Sequence, residues 1–368
     1  MRKTALVALL LTTVSLPLAA ATRRRATTPP LFPACSSIDG SPAVTFSRDG
    51  GQTFATVQQK LEGVGYTYGV AAIDATTVLS WHKSTLSISR DSGCSWTAIG
   101  DFEDGGFPPS IVAGGANDAW IFSDNREFLA HFDVATRVLT TLKAPGSIIS
   151  LTVDPAMAQH LRVGTAEANV LDSTDGGATW NRVGVIPVTV PLLYRVAIDR
   201  HDFNHILAGT LRQGVLVTKD GGRNWTEATG LGTKNQVNAF QVLISPADPS
   251  VAWAMALDMS DESSDSHGRH IYRSTDGGLT FAPVVDASPE VTLINQPVMA
   301  VHPTDPNVVY FVFGTFFQGY GTDLFRYDAA TRQLQKAHLD VNDIDAIAFS
   351  PLDPNVMYFG LEIESGVH

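Results

Sequence analysis

Short apolar runs alternate with tight polar turns along most of the chain. The clearest copy lies between residues 193 and 225, where Leu193–Ile198, Ile206–Thr210 and Gly214–Thr218 are apolar or β-branched. The turns between them are rich in Asp, Asn and Gly, and Trp225 follows the last one. Runs of this kind bounded by turn residues are typical of β-strands. The pattern therefore predicts a unit of four antiparallel strands, which we call a, b, c and d in chain order.

The turn between strands c and d recurs with the consensus Ser-x-Asp-Gly-Gly-x-Thr-Trp. Its copies, which we call the repeat turns, are Ser47–Phe54, Ser89–Trp96, Ser173–Trp180, Thr218–Trp225 and Ser274–Phe281. Asp, Ser and Thr side chains bond backbone amides in tight turns, and paired glycines accept positive φ. The aspartates of the repeat turns are therefore predicted to be structural, and they are Asp49, Asp91, Asp175, Asp220 and Asp276.

The spacing of these aspartates predicts the number of units. They are 42, 84, 45 and 56 residues apart, and because 84 is twice 42, one further unit is expected near position 133. His131–Arg137 there keeps the aspartate without the glycines, and Tyr327–Arg332 repeats that variant 52 residues after Asp276. Seven units with this period predict an all-β protein, a single seven-bladed β-propeller of four-stranded antiparallel blades.

The two ends of the chain together supply one of these blades. Ile344–Val367 offers strands a and b and then stops, whereas Ala43–Phe46 and the repeat turn after it offer strands c and d. Pairing of the terminal strands would close the ring and remove its exposed edges.

The repeat turns resemble the Asp-box, or BNR, repeat of sialidases, two-propeller xyloglucanases, sortilin-type receptors and photosystem II assembly factors. The a and b strands also repeat, so the resemblance covers nearly all of the chain after the N-terminal segment. Such proteins include enzymes, receptors and assembly factors. The resemblance therefore implies a fold and leaves the function open.

The N-terminal segment predicts export. Residues 1–21 combine Arg2 and Lys3, an apolar run and a small-residue cleavage site at Ala21, as a signal peptide does. Residues 22–40 are predicted to be a flexible Arg- and Pro-rich leader, followed by the propeller over 41–368. Loss of Arg2 and Lys3 changes the net charge from -12 to -14, which argues against nucleic acid or anionic lipid as a partner. A secreted or periplasmic protein without a membrane span is expected.

Cys35 and Cys94 are the two cysteines of the chain. In an exported protein two cysteines suggest a disulfide, which would pin the N-terminus to the ring, while two unpaired thiols are the alternative.

Candidate functional residues lie in the b–c and d–a connections, which share one end of the ring. The predicted ligand-binding residues are Trp81, His82, Arg126, Arg212, Phe316, Phe317 and Tyr320. The wider set comprises Lys83, Asp104, Phe107, Asn125, Glu167, Gln213, Glu362, Glu364 and the stretch Pro187–Pro191. The loop Asp258–His270, with Asp261, Glu262, Asp265 and His267, could hold Ca²⁺, but it lacks fixed ligand spacing and reads as a solvated loop. No metal site and no cofactor is predicted.

Catalytic motifs are weak in this sequence. A sialidase would need three convergent arginines, and the Phe/Tyr-Arg-Ile-Pro motif that supplies its first arginine is absent; Tyr194–Ala197 is the nearest string. A glycoside hydrolase using Asp104, Glu167 or Glu362 remains an alternative. The favoured interpretation is a non-catalytic, monomeric module that binds an extracellular protein or glycan. A modulator of an extracellular protease or of an envelope complex is a further alternative.

Overall fold

The structure is a computed structural model, and it describes residues 32–33, 35–40, 43–57, 65–102, 109–115, 117–123, 126–262, 266–293, 298–314, 321–340 and 342–362. The predicted signal peptide therefore lies outside the described residues. Within the described residues the secondary structure consists of β-strands and turns, without helices. The strands form a seven-bladed β-propeller of four-stranded antiparallel blades, as the sequence predicts.

The strands of the N-terminal part and of the first three blades are as follows. The N-terminal strands are β1 (Ser37–Ile38), β2 (Val44–Ser47) and β3 (Thr56–Val57). Blade 1 contains β4 (Gly69–Ala72), β5 (Val78–His82), β6 (Thr85–Ser89) and β7 (Thr97–Asp101). Blade 2 contains β8 (Ser110–Ala113), β9 (Asp118–Ser123), β10 (Phe128–Asp133) and β11 (Val138–Leu142). Blade 3 contains β12 (Ile148–Asp154), β13 (Met157–Thr165), β14 (Asn169–Ser173) and β15 (Asn181–Val185).

The remaining blades continue in the same order. Blade 4 contains β16 (Leu193–Ile198), β17 (Ile206–Thr210), β18 (Val215–Thr218) and β19 (Thr226–Glu227). Blade 5 contains β20 (Val237–Ile244), β21 (Ala252–Asp258), β22 (Arg269–Ser274) and β23 (Ala282–Asp286). Blade 6 contains β24 (Met299–Val301), β25 (Val308–Gly314), β26 (Thr322–Asp328) and β27 (Gln333–Leu339). The last strands are β28 (Asp343–Phe349) and β29 (Met357–Glu362).

Blade 7 is assembled from both ends of the described chain. β28 and β29 supply strands a and b, and β2 pairs antiparallel with β29 so that Thr45 faces Phe359. The amide of Ala55 then donates to the carbonyl of Phe46 at 2.9 Å, which places the segment leading into β3 as strand d. The predicted pairing of terminal strands is confirmed.

Residues 35–40 pack against the outside of blades 7 and 1, which differs from the flexible leader expected there. β1 pairs in parallel with β3, and Asp39 forms a parallel bridge with Ser95. A disulfide joins Cys35 to Cys94, with their Cα atoms 5.9 Å apart. Because Ile38 is fully buried, this strap adds apolar contacts to the covalent link between the N-terminus and blade 1.

The repeat turns are closed by the side chains that the sequence singled out. In blade 3 the Ser173 hydroxyl donates to Asp175 at 2.8 Å and accepts from the Gly177 amide at 2.8 Å. Asp175 also accepts from the Thr179 amide and hydroxyl at 2.9 and 2.6 Å. Hydrogen bonds from Thr179 and Ser173 lower the pKa of Asp175 to about 2. The turns at Asp49, Asp91, Asp220 and Asp276 have the same bonding.

One backbone hydrogen bond recurs in every blade. The amide of the residue after the turn aspartate donates to a carbonyl in the a–b turn of the same blade or, in blade 3, at the start of strand b. Gly221 donates in this way to Asn204 at 3.0 Å. The other pairs are Gly50 to Asn355, Ser92 to Thr76, Val134 to Asn117, Gly176 to Gln159, Gly277 to Ser250 and Ala329 to Asn307. Since Val134 and Ala329 follow Asp133 and Asp328, the two variant turns occupy the same structural position as the others.

The core is divided among the junctions between blades. Each of the seven junctions has its own apolar cluster of described residues. The aromatic residue that ends a repeat turn packs into the junction with the preceding blade, as Trp180 and Trp225 do. These rings therefore fix the spacing of neighbouring blades.

Candidate binding face

The b–c and d–a connections lie at one end of the ring, opposite the repeat turns, because strands alternate in direction within each blade. We call this end the loop face. His82 and Lys83 form the b–c turn of blade 1, where Lys83 has a φ of 51°. Arg212 in blade 4 is exposed and has a φ of 69°, and its amide donates to the Asn238 side chain at 2.9 Å. These predicted site residues do reach the loop face.

Trp81 is a core residue, which corrects its prediction as a ligand contact. Its side chain is fully buried and packs against Phe102 and Phe128 between blades 1 and 2. The indole Nε1 donates to the carbonyl of Lys83 at 2.8 Å and thereby holds the b–c turn. Arg126 is half-buried, with its guanidinium 4.5 Å from the centre of the Phe128 ring.

Several predicted residues lie outside the described residues. They are Phe316, Phe317 and Tyr320 of the predicted ligand-binding set, and Asp104, Phe107, Asn125, Asp265 and Glu364 of the wider set. The aromatic segment connects β25 to β26 in blade 6, so in sequence it is a b–c connection.

Asp345 and Glu362 form a hydrogen-bonded carboxyl pair where strands a and b of blade 7 reach the loop face. Asp345 is half-buried, and Glu362 is 8% exposed. Burial raises the pKa of Asp345 to about 6, and the negative charge of Asp343 also raises it. Hydrogen bonds with the Thr67 amide and with Glu362 lower this pKa, but they do not offset the effect of burial. Two adjacent buried carboxyl groups share a proton most readily, so this pair can take up or release one near pH 6.

A β-bulge in strand a aims Asp345 at the neighbouring blade. The register of β28 against β29 shifts between Ile344 and Ala346, and the same shift occurs in blades 3, 4 and 5. The residues at the shift in those blades are Ile149, Tyr194 and Phe240, and they pack on apolar neighbours. A bulge redirects the side chain of its extra residue. Asp345 is therefore a carboxyl group in a position that three other blades fill with apolar side chains.

Thr67 links this carboxyl pair to His82. Its amide donates to Asp345 Oδ2 at 3.1 Å, and its hydroxyl lies 2.8 Å from His82 Nδ1. Burial lowers the pKa of His82 to about 4, with a further lowering by the Lys83 ammonium. The imidazole is therefore neutral at physiological pH. The contacts of Thr67 join blades 7 and 1 at the point of ring closure.

Carboxylates dominate the loop face of blades 5 to 7, which we call the acidic sector. Its described acids are Asp258, Asp261, Glu262, Asp286, Glu290, Asp323, Asp340, Asp343, Asp345 and Glu362, and the positive charges described near them are Arg269 and Lys336. The loop face of blades 1 to 4 carries the cations Lys83, Arg126, Lys143, Arg212 and Lys234 together with the acids Asp101, Glu127 and Glu167. The charge of this face is therefore asymmetric and is most negative in the acidic sector.

The loop from Asp258 to His270 is held by contacts with the protein itself. Asp258 accepts from the Thr233 amide at 2.9 Å and from the amide and hydroxyl of Ser260. His270 lies between Asp286, 2.7 Å from Nδ1, and Asp261, 3.4 Å from Nε2. Across the part of the chain that the structure describes, no group of His, Cys, Asp and Glu has metal-binding geometry.

Of the predicted catalytic carboxylates, the structure describes Glu167 and Glu362, and these two lie in different blades. Glu167 belongs to the b–c turn of blade 3, where the Ser147 amide donates to it at 3.4 Å, whereas Glu362 is paired in blade 7. Arg126 and Arg212 belong to blades 2 and 4. Arg195 lies on inner strand β16 and donates to the Gln241 side chain at 3.2 Å. The described members of the predicted catalytic and arginine sets therefore lie in different blades of the ring.

Asp345 and Thr67 are not among the residues that the sequence motifs predict. Aligning the a strands by the polar residue at or directly after their ends, Asp154, Asp199, Ser245 and Ser350, places Asp345 beside Ile149, Tyr194 and Phe240 and marks it as unusual. Thr67 carries no such signal, because it lies between blades.

The fold is shared with solved propellers of low sequence identity. A GH74 enzyme of Niastella koreensis aligns with 82% of this chain at a TM-score of 0.58 and 16% identity, and this chain spans about half of that enzyme's length (52%). YCF48 bound to a D1 peptide aligns with 84% of this chain and 96% of its own at a TM-score of 0.56 and 14% identity. These likenesses show the fold alone. No helix among the described residues is long and apolar enough to cross a membrane.

A sequence relative is more informative, although no family model matches the chain. The dispase autolysis-inducing protein of Streptomyces mobaraensis is 43% identical over 337 residues, which cover 90% of this chain and 89% of that protein. Identity of this level over nearly the full length of both proteins leads to one conclusion: the chain belongs to the family of the dispase autolysis-inducing protein.

Proposed function

We propose that this protein binds an extracellular protease through its loop face and promotes the self-digestion of that protease. The observation that carries the proposal is the 43% identity to a relative named for inducing the autolysis of dispase. The predicted signal peptide supports an extracellular or periplasmic location, and we interpret the repeat turns as Asp-box repeats that serve the fold rather than the chemistry.

The acidic sector is the surface we assign to the protease. Its outward-facing acids are Glu262, Asp286, Glu290 and Asp340. Complementary charge accelerates association and selects partners. The matching surface of the protease is therefore expected to carry Lys or Arg. Phe316, Phe317 and Tyr320 follow β25 in the sequence of blade 6, and we expect them to add apolar contacts to this interface.

Promotion of autolysis requires no catalytic group on the propeller. A binding partner shifts a conformational equilibrium by the difference between its affinities for the two states. If the propeller prefers the protease conformation in which a cleavable loop is exposed, the protease digests itself faster while the propeller is unchanged. This mechanism agrees with the separation of Glu167 from the Asp345–Glu362 pair.

The test is incubation of purified mature protein with dispase. We expect loss of intact dispase to accelerate with propeller concentration and to saturate as a binding curve does. Dispase blocked by an active-site inhibitor should bind the propeller and stay intact. Unchanged dispase lifetime together with no binding to blocked dispase would overturn the proposal. Binding without faster autolysis would also overturn it, and would leave a binding module for a protease or an envelope complex.

The alternative of a glycoside hydrolase predicts a different result. It requires turnover of sialosides or β-glucans that is lost when Glu167 or Glu362 is changed to Ala. Because the described carboxylates do not flank a shared cleft, we expect these substrates to remain intact.

A further inference from the structure

In blade 1 one position of strand c is polar, whereas blades 3, 4 and 5 have there a large side chain that packs against the preceding blade. Two residues before the Ser or Thr of the repeat turn, blades 3, 4 and 5 carry Leu171, Leu216 and Tyr272, each packed toward the preceding blade. Blade 1 has Ser87 at this position, 8% exposed. Blade 7 has Thr45 at this position, and the Thr45 hydroxyl donates a hydrogen bond to the Ala55 carbonyl at 2.7 Å.

A pocket of about 230 Å³ lies in the region that a larger side chain at Ser87 would fill. Every residue that lines it belongs to strands b, c and d of blade 1 or to the turns between them. Its walls are the hydroxyl residues Ser84, Thr85 and Ser87 together with Trp96. His82, Lys83 and Ala98 complete the lining. The pocket therefore combines residues of the predicted binding face with a gap in the packing between blades.

The walls of this pocket are fixed by contacts elsewhere in the fold. The Trp96 indole donates to the carbonyl of Gly93 at 3.1 Å. The His82 ring is oriented by the Thr67 hydroxyl 2.8 Å from its Nδ1. A pocket whose walls are already ordered binds a ligand without an entropic cost of arranging them.

We propose that this pocket binds one pyranose unit of a glycan. The Thr85 hydroxyl donates to Asp101, and the hydroxyls of Ser84 and Ser87, the Nε2 of His82 and the ammonium of Lys83 offer donors and acceptors to sugar hydroxyls. The indole of Trp96 offers an apolar surface to the C–H groups of the ring. The volume is below that of sites for drug-sized ligands, so a single sugar ring suits it. This site lies in blade 1, outside the acidic sector, and is independent of the proposed action on a protease.

The probes are the methyl glycosides of glucose, N-acetylglucosamine and glucuronic acid, tested by saturation-transfer NMR on the full mature protein. We expect at least one to bind with a dissociation constant in the millimolar range. Ser87→Leu should abolish the signal because it places in blade 1 the side chain found in blades 3 and 4. Ser87→Ala removes one hydroxyl but leaves the pocket open, so it should weaken binding by no more than about threefold. Thr226→Leu, which adds an apolar side chain at an exposed position of blade 4, is the control and should leave binding unchanged.

Thermal melting separates loss of the site from loss of the fold. Ser87→Leu should melt at or above the wild-type temperature, because filling a cavity is stabilising when the side chain fits. If that variant fails to fold, Lys83→Met provides the test and should weaken binding at least about tenfold. Absence of binding by all three glycosides, or binding that survives both Ser87→Leu and Lys83→Met, would overturn the proposal.

Discussion

The backbone amide of Thr67 donates a 3.1 Å hydrogen bond to Oδ2 of Asp345, and this bond joins blade 1 to blade 7 where the ring closes. The acceptor is one half of the Asp345–Glu362 pair, so this contact between blades involves a carboxyl group whose pKa is raised to about 6 from 3.8. A raised pKa means that the folded protein holds this proton more tightly than the unfolded chain does.

Asp345→Asn should therefore change how stability depends on pH. Below about pH 4 the wild-type carboxyl is protonated in both states and carries no penalty. As the pH rises to about 6 the unfolded chain ionises first, the free energy of unfolding falls, and the penalty persists above that pH. The difference in free energy of unfolding between the Asn variant and wild type should therefore rise by about 1 to 3 kcal/mol, in favour of the variant, from pH 4 to pH 7. Urea unfolding at both values measures this difference, and a difference independent of pH would contradict the buried-pair interpretation.

The hydroxyl group of the Ser or Thr that begins a repeat turn should contribute more to stability than the volume of that side chain does. Thr218 is 2% exposed and accepts from the Gly222 amide at 3.1 Å. Thr218→Val keeps the shape and leaves that buried amide without its acceptor, so the free energy of unfolding should fall by about 1 to 3 kcal/mol. Thr226→Val, at an exposed position of the same blade, is the control and should have little effect. Equal effects of the two changes in denaturant titrations would argue against a structural role for the turn.

The N-terminal strap should stabilise the ring through its disulfide. The double change Cys35→Ser/Cys94→Ser removes a link between residues that are 59 positions apart in sequence. It should lower the free energy of unfolding by about 2 to 4 kcal/mol. Reduction of the wild-type protein should lower it by a similar amount, whereas the double variant should not respond to reductant. A double variant as stable as the oxidised wild type would show that the bridge has no structural role.

The acidic sector should steer association with the protease. Glu262→Lys/Glu290→Lys reverses two exposed charges of that sector, and Glu127→Lys/Glu227→Lys makes the same change in charge on blades 2 and 4. We expect the first pair to slow association with inhibitor-blocked dispase about tenfold at low salt, and the second to have a smaller effect. Equal effects of the two pairs would mean that net charge, and not this sector, matters.

The aromatic residues of the blade 6 connection provide a separate test of the interface. Changing Phe316, Phe317 and Tyr320 together to Ser should abolish capture of blocked dispase while the thermal midpoint moves by only a few degrees, because interface rings contribute more to binding than to folding. A large drop in the midpoint would instead assign these rings to the core.

The amino-acid sequence by itself determined the architecture of this protein. The repeat-turn residues satisfy one another within a few positions, as Ser173, Asp175 and Thr179 do, so their spacing reveals the blades without knowledge of distant contacts. The composite blade followed for the same reason, since strands c and d at one end complement strands a and b at the other.

The tertiary structure alone decided which loop-face residues can act. Trp81 and His82 are adjacent in sequence, but successive side chains of a strand point to opposite faces, so one lies in the core of blades 1 and 2 and the other borders a pocket. The pairing of Asp345 with Glu362 and its bond to Thr67 depend on a bulge and on closure of the ring. Contacts between residues hundreds of positions apart arise from packing between blades, and no local pattern encodes them.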